Sequence, residues 1–298
     1  MRLLILGGGN ISLHFLNLVS KLGGSAVCLT DFGTTYKSIP NVEFNNLDNF
    51  CSKAVGKCAI FDALVLFRCR VNPRGPVNEG SYVEDQVSEY IEVLSRIHDY
   101  ADWRSCLMVS SASVYGTRDC VQSVSEDIFC EPHSQYGRFK LMLEQSIKKI
   151  FCGNGLIIVR PSSIYGVKLV DPRSVGWIGR LLKARIERKK ISINGIQWRD
   201  FLSVDDFVLG LWRILLKVQD VSTHHNSPTC LNVGGVEPVC LNTLAEQIGV
   251  LDNASVSSRI VESSCLDSSK CLTMIGEFRE SSVVTDLETY FEASREMF

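Results

Sequence analysis

Five short apolar runs, rich in β-branched residues, are the clearest feature of the hydrophobic pattern. They are "LLILG" (3–7), "SAVCLT" (25–30), "ALVLF" (63–67), "CLMVSS" (106–111) and "GLIIVRP" (155–161). Continuous apolar runs of this length predict strands that are buried on both faces of a sheet.

Between these runs the apolar residues recur with a helical period. The predicted core positions are Leu13, Leu16 and Val19, then Val83, Val87, Tyr90, Ile91 and Leu94, then Phe139, Leu143, Ile147 and Ile150. Strands that alternate with helices predict an α/β fold, here a doubly wound parallel sheet of the Rossmann type.

The pattern loosens after about residue 166, where short strands and polar turns surround a helix near 205–218. We therefore predict a Rossmann-type domain over 1–165, with 228–250 returning to it. Residues 166–298 are predicted to form a smaller α+β lobe.

Composition excludes several classes of function. The 298 residues carry a net charge of −2, so no charge surplus points to nucleic acid or an anionic membrane. The apolar run at the N-terminus is too short for a signal peptide, and the segment 207–218 is too short to span a bilayer. Twelve cysteines without a C-x-x-C pair predict free thiols in a reducing, cytoplasmic setting, and five histidines without ligand spacing predict no metal site.

Glycines follow the first predicted strand in a pattern typical of phosphate binding. Gly7, Gly9 and Ser12 form G-x-G-x-x-G with serine in the last position. The two glycines allow a tight turn and a close approach of a pyrophosphate, which the N-terminus of the following helix attracts. Asn10 and Ile11, at the start of that helix, are predicted to share in cofactor binding.

An acidic residue ends the second predicted strand. Asp31 stands 24 residues beyond Gly7, where a carboxylate accepts hydrogen bonds from the adenosine ribose and repels a 2′-phosphate. This favours NAD over NADP, although Lys37 nearby is able to weaken the preference and NADP is not excluded.

Further motifs follow in a fixed order: "SSASVYG" (110–116), "YGRFK" (136–140), "RPSSIYG" (160–166), "RDFLSVDD" (199–206) and "LNVGG" (231–235). With "GGGNIS", this combination resembles the extended short-chain dehydrogenase/reductase family, the NAD-dependent epimerase/dehydratase group that modifies nucleotide sugars. The resemblance covers residues 1 to about 250. It implies that the domain of residues 1–165 and 228–250 binds NAD(P) and that the lobe of residues 166–298 binds the substrate.

The resemblance implies a catalytic trio of Ser111, Tyr136 and Lys140. The spacing of a tyrosine and a lysine does not by itself identify a catalytic pair. The four-residue separation does put Tyr136 and Lys140 on one helix face. A neighbouring ammonium stabilises a phenolate, which suits proton transfer. Lys140 is also implied to hold the nicotinamide ribose, and Ser111 to hydrogen-bond the reacting oxygen.

Three further residues are expected at the substrate by the same resemblance. Arg199 matches a family arginine that contacts the nucleotide diphosphate, although a salt bridge with Asp200 or Asp205 is the alternative. Glu126 lies in the loop before the catalytic tyrosine. Ser163 stands where family members commonly have an asparagine that meets the substrate.

The sequence departs from the family at informative positions. Arg68 and Arg70 replace the small residues that normally lie along the cofactor, so they either bind a phosphate or belong to a loop with a different course. Val167 replaces a usual proline. Ala112 and Ser113 follow Ser111 where family dehydratases have an acid pair, so dehydration is not expected.

The sequence therefore predicts an NAD(P)-dependent nucleotide-sugar epimerase similar to UDP-glucose 4-epimerase. The alternatives are an NAD(P)H-dependent keto-sugar reductase and a non-catalytic dinucleotide-binding regulatory protein. Family resemblance also implies a homodimer formed through the helices at 82–97 and 134–151.

Overall fold

The structure is a computed structural model that describes residues 1–30, 38–53, 59–71, 81–118, 122–151, 155–166, 176–219, 228–252 and 261–287. Its main feature is a seven-stranded sheet in which every neighbouring pair is parallel. The strands are β1 (Arg2–Leu6), β2 (Ser25–Leu29), β3 (Val42–Asn45), β4 (Ala59–Leu66), β5 (Ala101–Val109), β6 (Leu156–Pro161) and β9 (Thr229–Val233). Their order, β3-β2-β1-β4-β5-β6-β9, is that of a doubly wound α/β sheet and confirms the predicted fold class.

Helices cover both faces of this sheet. Among the described residues, the helices include α1 (Asn10–Lys21), α2 (Leu47–Lys53), α3 (Tyr82–His98), α4 (Gln135–Ile150), α5 (Trp177–Ile186), α6 (Val204–Gln219), α7 (Leu241–Gln247) and α8 (Ser269–Ile275). No helix within the described ranges combines the length and the apolar character needed to cross a bilayer.

The alternation of side chains along β1 shows how the two faces are filled. Leu3 and Ile5 pack in a core with α1 and α6, whereas Leu4 and Leu6 pack in a second core with α3 and α4. Each strand residue points to the face opposite that of its neighbour, so a fully apolar strand supplies both cores.

Most of the predicted core positions are buried, with one clear exception. Phe139, Leu143 and Ile147 of α4 are at most 1% exposed, but Ile150 is 50% exposed, so its predicted burial is wrong. Ile150 is the last residue of α4, and no further helical turn covers it.

A second, smaller sheet follows in the C-terminal half. It is built from β7 (Ser163–Tyr165), β8 (Ile196–Ser203), β10 (Pro238–Cys240) and β11 (Val261–Ser264). β8 pairs with the other three, antiparallel only to β10. A separate apolar core forms around α5, α7 and this sheet. β9 lies in the large sheet, and α6 packs on the same sheet, so the chain returns to the large sheet after residue 166. The exact bounds of the two predicted domains stay a prediction.

Candidate active site

The turn between β1 and α1 is shaped by glycine. Gly7 has a φ of 112°, and a Cβ built on it would lie 2.6 Å from the backbone nitrogen of Arg68. Both features require glycine, because an L side chain is strained at this φ and no space remains for it. The turn therefore brings the end of β1 against the end of β4.

Gly9 has the opposite surroundings. It lies at the N-cap of α1 with a φ of −73°, and nothing lies within 4 Å of the position that a Cβ would take. No side chain caps the helix, and its first turn has no acidic residue. Ser12, which is 1% exposed, instead donates a hydrogen bond of 2.7 Å to the carbonyl oxygen of Gly9. Open space before an uncapped helix N-terminus fits a pyrophosphate.

The structure describes only some of the residues that were predicted to bind the cofactor. Asn10 and Ile11 are the first two residues of α1, beside the open space at Gly9. Asp31 and Lys37 lie outside the described residues. The preference for NAD over NADP that rests on Asp31 stays a prediction.

Arg68 and Arg70 follow β4, and both reach α3. Arg68 Nη2 lies 2.9 Å and Arg70 Nη1 2.5 Å from the same carboxylate oxygen of Glu89. The guanidinium of Arg68 also lies 5.7 Å from the ring centroid of Tyr90. The backbone of Arg68 packs against the glycine turn. Its side chain is 6% exposed and is held by α3.

The predicted catalytic residues Ser111, Tyr136 and Lys140 are brought together. Ser111 follows β5 and caps one turn of 3₁₀ helix, Ala112–Tyr115, by accepting a hydrogen bond of 3.1 Å from the Ser113 backbone. Tyr136 lies in the first turn of α4, beside Ser111. Lys140 Nζ lies 5.8 Å from the Tyr136 ring centroid and donates a 2.8 Å hydrogen bond to the carbonyl oxygen of Val109.

Two opposing effects act on the Tyr136 hydroxyl. Burial raises the pKa of Tyr136 above its ordinary value of 10, and the hydrogen bond with Ser111 acts to lower it. The net effect is upward, so the protein environment keeps the phenol protonated at neutral pH. A base role for this group requires further positive charge beside it.

The three residues predicted at the substrate lie on other elements. Glu126 Oε1 accepts a 2.7 Å hydrogen bond from the backbone nitrogen of Asn232, and Ser163 pairs with Phe201 of β8. Arg199 is 9% exposed on β8, where it donates to Gln197 Oε1 at 2.9 Å. Glu126 thus contacts β9, Ser163 pairs with β8, and Arg199 contacts a residue of its own strand; their roles at a substrate stay predictions.

The structure contains a buried ion pair that the sequence analysis did not predict. Glu144 and Arg160 are 0% and 4% exposed, and Arg160 Nη2 lies 2.6 Å from Glu144 Oε2. One signal was available, because Glu144 interrupts the apolar stripe of α4 four residues after Lys140. A charged residue inside such a stripe is buried only when it is paired.

The surfaces of α3 and α4 give no direct support for the predicted homodimer. α3 and α4 pack against each other, and most of their apolar residues lie in or against the core of the protomer, with Ile150 of α4 exposed. The exposed residues of α3 are polar: Glu84, Asp85, Ser88, Glu92, Ser95, Arg96 and His98. The homodimer stays a prediction.

Comparison with known proteins identifies the family. Residues 4–234 match the model of the NAD dependent epimerase/dehydratase family. A search of curated proteins gives no match. Similar solved structures include a UDP-glucose 4-epimerase with UDP-glucose from Thermotoga maritima, at 16% identity and a TM-score of 0.75, with 100% of this chain and 99% of that chain covered.

Two further structures share the fold over the full length of both chains. One is a UDP-galactose 4-epimerase, at 21% identity and a TM-score of 0.74. The other is a UDP-glucuronic acid 4-epimerase from Bacillus cereus in complex with UDP-glucuronic acid and NAD, at 20% identity and a TM-score of 0.72. With the family match over most of its length, the chain belongs to the NAD-dependent epimerase/dehydratase family and is an NAD-dependent enzyme of the extended short-chain dehydrogenase/reductase type.

Proposed function

We propose that the protein is a nucleotide-sugar epimerase that acts on UDP-sugars in the manner of UDP-glucose 4-epimerase. The observation that carries the proposal is the meeting of Ser111, Tyr136 and Lys140 at the end of β5. It is supported by the family match and by similar structures that contain UDP-sugars.

The glycine turn and the start of α1 fit the cofactor. Gly7 allows the tight turn, Gly9 leaves room for the pyrophosphate, and the amides at Asn10 and Ile11 face it at the helix N-terminus. NAD, when bound, supplies a hydride acceptor with a positively charged nicotinamide. Several similar structures contain NAD, which supports NAD as the cofactor of this chain.

The chain's own residues handle the proton. Tyr136 takes the proton from the sugar hydroxyl and later returns it, and Ser111 donates a hydrogen bond to the reacting oxygen. The ammonium of Lys140, fixed by its hydrogen bond to Val109, adds positive charge near the phenol and holds the nicotinamide ribose.

Substrate binding is assigned to the smaller lobe. Arg199 is proposed to contact the diphosphate, with Glu126 and Ser163 beside the sugar. Residues 1–165 and 228–250 would then hold NAD and 166–298 the substrate. The cysteines of the described ranges are all free thiols, which supports a cytoplasmic location.

The turn after Ser111 argues against dehydration. Ala112 and Ser113 carry no carboxylate, and the Ser111 hydroxyl donates a 3.1 Å hydrogen bond to Ser113 Oγ. Elimination of water needs an acid and a base at this place, and neither residue is a general acid at neutral pH.

A keto-sugar reductase is the second candidate. In such an enzyme the phenol of Tyr136, which is protonated at neutral pH, donates a proton to the reduced carbonyl oxygen. An epimerase keeps its cofactor between turnovers, whereas a reductase exchanges it in every cycle.

The test uses the purified full chain. The protein is first denatured and any released nucleotide is identified by mass spectrometry; the native protein is then incubated with UDP-galactose without added cofactor. Stoichiometric NAD and formation of UDP-glucose are expected. An empty protein that oxidises NADPH with a keto-sugar nucleotide would instead establish the reductase, and a protein that binds no dinucleotide would overturn both candidates.

A further inference from the structure

Three consecutive residues at the end of β5 each lie against one face of α4. Lys140 donates to the carbonyl oxygen of Val109, Ser110 Oγ donates to Glu144 Oε1 at 2.5 Å, and Ser111 lies beside Tyr136. The α4 partners stand at intervals of four residues, so they lie in one line along the helix. Tyr136 and Lys140 of α4 therefore both contact the end of β5.

Glu144 is fixed from its other side by Arg160 of β6. Arg160 Nε lies 3.0 Å from Glu144 Oε1 and Nη2 lies 2.6 Å from Oε2, a bidentate arrangement. Burial acts to lower the pKa of Arg160, but the hydrogen bonds and charge of Glu144 raise it above its ordinary value. The planar fork leaves the carboxylate one orientation, which makes it a rigid acceptor for Ser110.

The same arginine also holds the far end of the turn that carries Ser111. Arg160 Nη1 donates a 2.8 Å hydrogen bond to the hydroxyl of Tyr115, the last residue of the 3₁₀ turn. That hydroxyl in turn donates to Asn232 Oδ1 of β9 at 2.7 Å. Ser110 precedes Ser111 and Tyr115 ends its turn, so both flanks of Ser111 are anchored to the Glu144–Arg160 pair.

A buried ion pair is costly to form, and hydrophobic residues of similar volume often stabilise a core equally well. Here the pair does something that a hydrophobic pair is unable to do, because it directs hydrogen bonds to both flanks of Ser111. We propose that Glu144, held by Arg160, is a positioning residue that acts through Ser110 to fix Ser111 against Tyr136. The inference rests on the proposed function, since it concerns the Ser111 and Tyr136 hydroxyls assigned to the reacting oxygen.

Ser110→Ala is the sharpest test, because it removes the hydrogen bond to Glu144 and leaves the ion pair in place. Ser105→Ala is the matched control. Ser105 is a buried serine within β5. Its hydroxyl donates to the carbonyl oxygen of Asp62 at 3.2 Å and accepts from Gln219 Nε2 at 3.3 Å, away from the trio. Ser110→Ala is expected to lower kcat with UDP-galactose by about tenfold or more with KM within about twofold, as expected of misplacement. Ser105→Ala is expected to match the wild-type protein.

A second measurement does not depend on turnover. The protein is labelled with ¹³C at the Cζ atom of tyrosine, and the Tyr136 signal is assigned by its loss in Tyr136→Phe. Ser111→Ala calibrates the shift that follows from loss of the hydrogen bond to Tyr136. We expect Ser110→Ala to move the Tyr136 signal in the same direction, and Ser105→Ala to leave it in place.

The outcomes separate the inference from the proposed function. A wild-type protein without activity on any nucleotide sugar contradicts the proposed function, and the Tyr136 signal then decides the inference by itself. A Tyr136 signal that Ser110→Ala leaves unmoved overturns the inference, even if kcat falls, since the fall would then come from general destabilisation. A signal that Ser111→Ala also leaves unmoved overturns it as well.

Discussion

The two corners of the candidate active site are built in different ways. The glycine turn around Gly7 and Gly9 presents backbone groups and open space. The corner at the end of β5 is made of buried side chains, including the paired charges of Glu144 and Arg160. Backbone groups suffice to bind a phosphate, because the helix N-terminus already provides aligned amides. Proton transfer needs hydroxyls in fixed positions, and fixing them has required a network of buried polar groups.

The largest expected effect tests the buried pair. Arg160→Met leaves the Glu144 carboxylate buried without its partner and is expected to lower the free energy of unfolding by about 3–5 kcal/mol, measured by urea denaturation. The double variant Glu144→Leu/Arg160→Met removes both charges and is expected to recover most of this loss. A cost below about 1 kcal/mol for Arg160→Met would show that the corner does not depend on the pair.

Asp200 combines features of both corners, because it is a buried carboxylate held by backbone amides. Its Oδ1 accepts a 2.5 Å hydrogen bond from Gly235 N and its Oδ2 one of 3.3 Å from Leu266 N. Burial raises the pKa of Asp200 from 3.8 to about 6, so backbone amides do not offset burial. The folded state therefore binds more protons than the unfolded state between these pH values.

The contribution of Asp200 to stability is accordingly present below about pH 4 and lost as pH rises through about 6. The total change is about 3 kcal/mol at most. Urea unfolding at intervals from pH 4 to 7 should show this slope in the wild-type protein relative to Asp200→Asn. Parallel curves for the two proteins would mean that Asp200 keeps an ordinary pKa.

The glycine turn offers a paired test. Gly7→Ala places a Cβ at a φ of 112° and 2.6 Å from Arg68 N, and is expected to cost about 1–3 kcal/mol of stability. Gly9→Ala has an ordinary φ and open space, so stability should change by less than about 1 kcal/mol. Its Cβ enters the space proposed for the pyrophosphate, so NADH affinity, measured by fluorescence titration, should fall about tenfold or more. Unchanged NADH affinity in Gly9→Ala would contradict the proposal that the cofactor binds at this turn.

The smallest expected change in the free energy of unfolding concerns the N-cap of α4. Ser134 is its N-cap and accepts a 3.0 Å hydrogen bond from Gly137 N, so Ser134→Ala should cost about 1 kcal/mol in urea unfolding. Ser81→Ala at the N-cap of α3 is the control, because the Ser81 hydroxyl donates to the exposed carboxylate of Asp85 at 2.8 Å and does not accept from the helix backbone. Its change should lie within about 0.5 kcal/mol. Equal losses in both variants would contradict the assigned cap.

The features predicted from sequence were those encoded by neighbouring residues. The glycine turn, the stripe of Phe139, Leu143 and Ile147, and the spacing of Tyr136 and Lys140 are all local patterns. Burial follows from such periods because a strand or helix has a fixed repeat. The end of a helix is less well specified, which is why Ile150 was wrongly placed in the core.

The positioning network was not predicted, because its partners are distant in the sequence. Glu144 and Arg160 are 16 residues apart on different elements, and Tyr115 and Asn232 are 117 apart. Parallel strands are joined by long crossovers, so which residues meet at a strand end depends on the strand order. Arg68 and Arg70 were noticed as departures from the family, but only the position of α3 shows that both bind Glu89.

The most direct test of the central claim compares Tyr136→Phe with the wild-type protein in the conversion of UDP-galactose to UDP-glucose. The substitution removes only the hydroxyl, so NADH affinity and the unfolding midpoint should stay close to wild type. We expect kcat to fall by about 10²–10⁴, the range that a general acid–base group contributes. A Tyr136→Phe protein that turns over UDP-galactose at the wild-type rate would contradict the assignment of Tyr136 as the proton-transfer group.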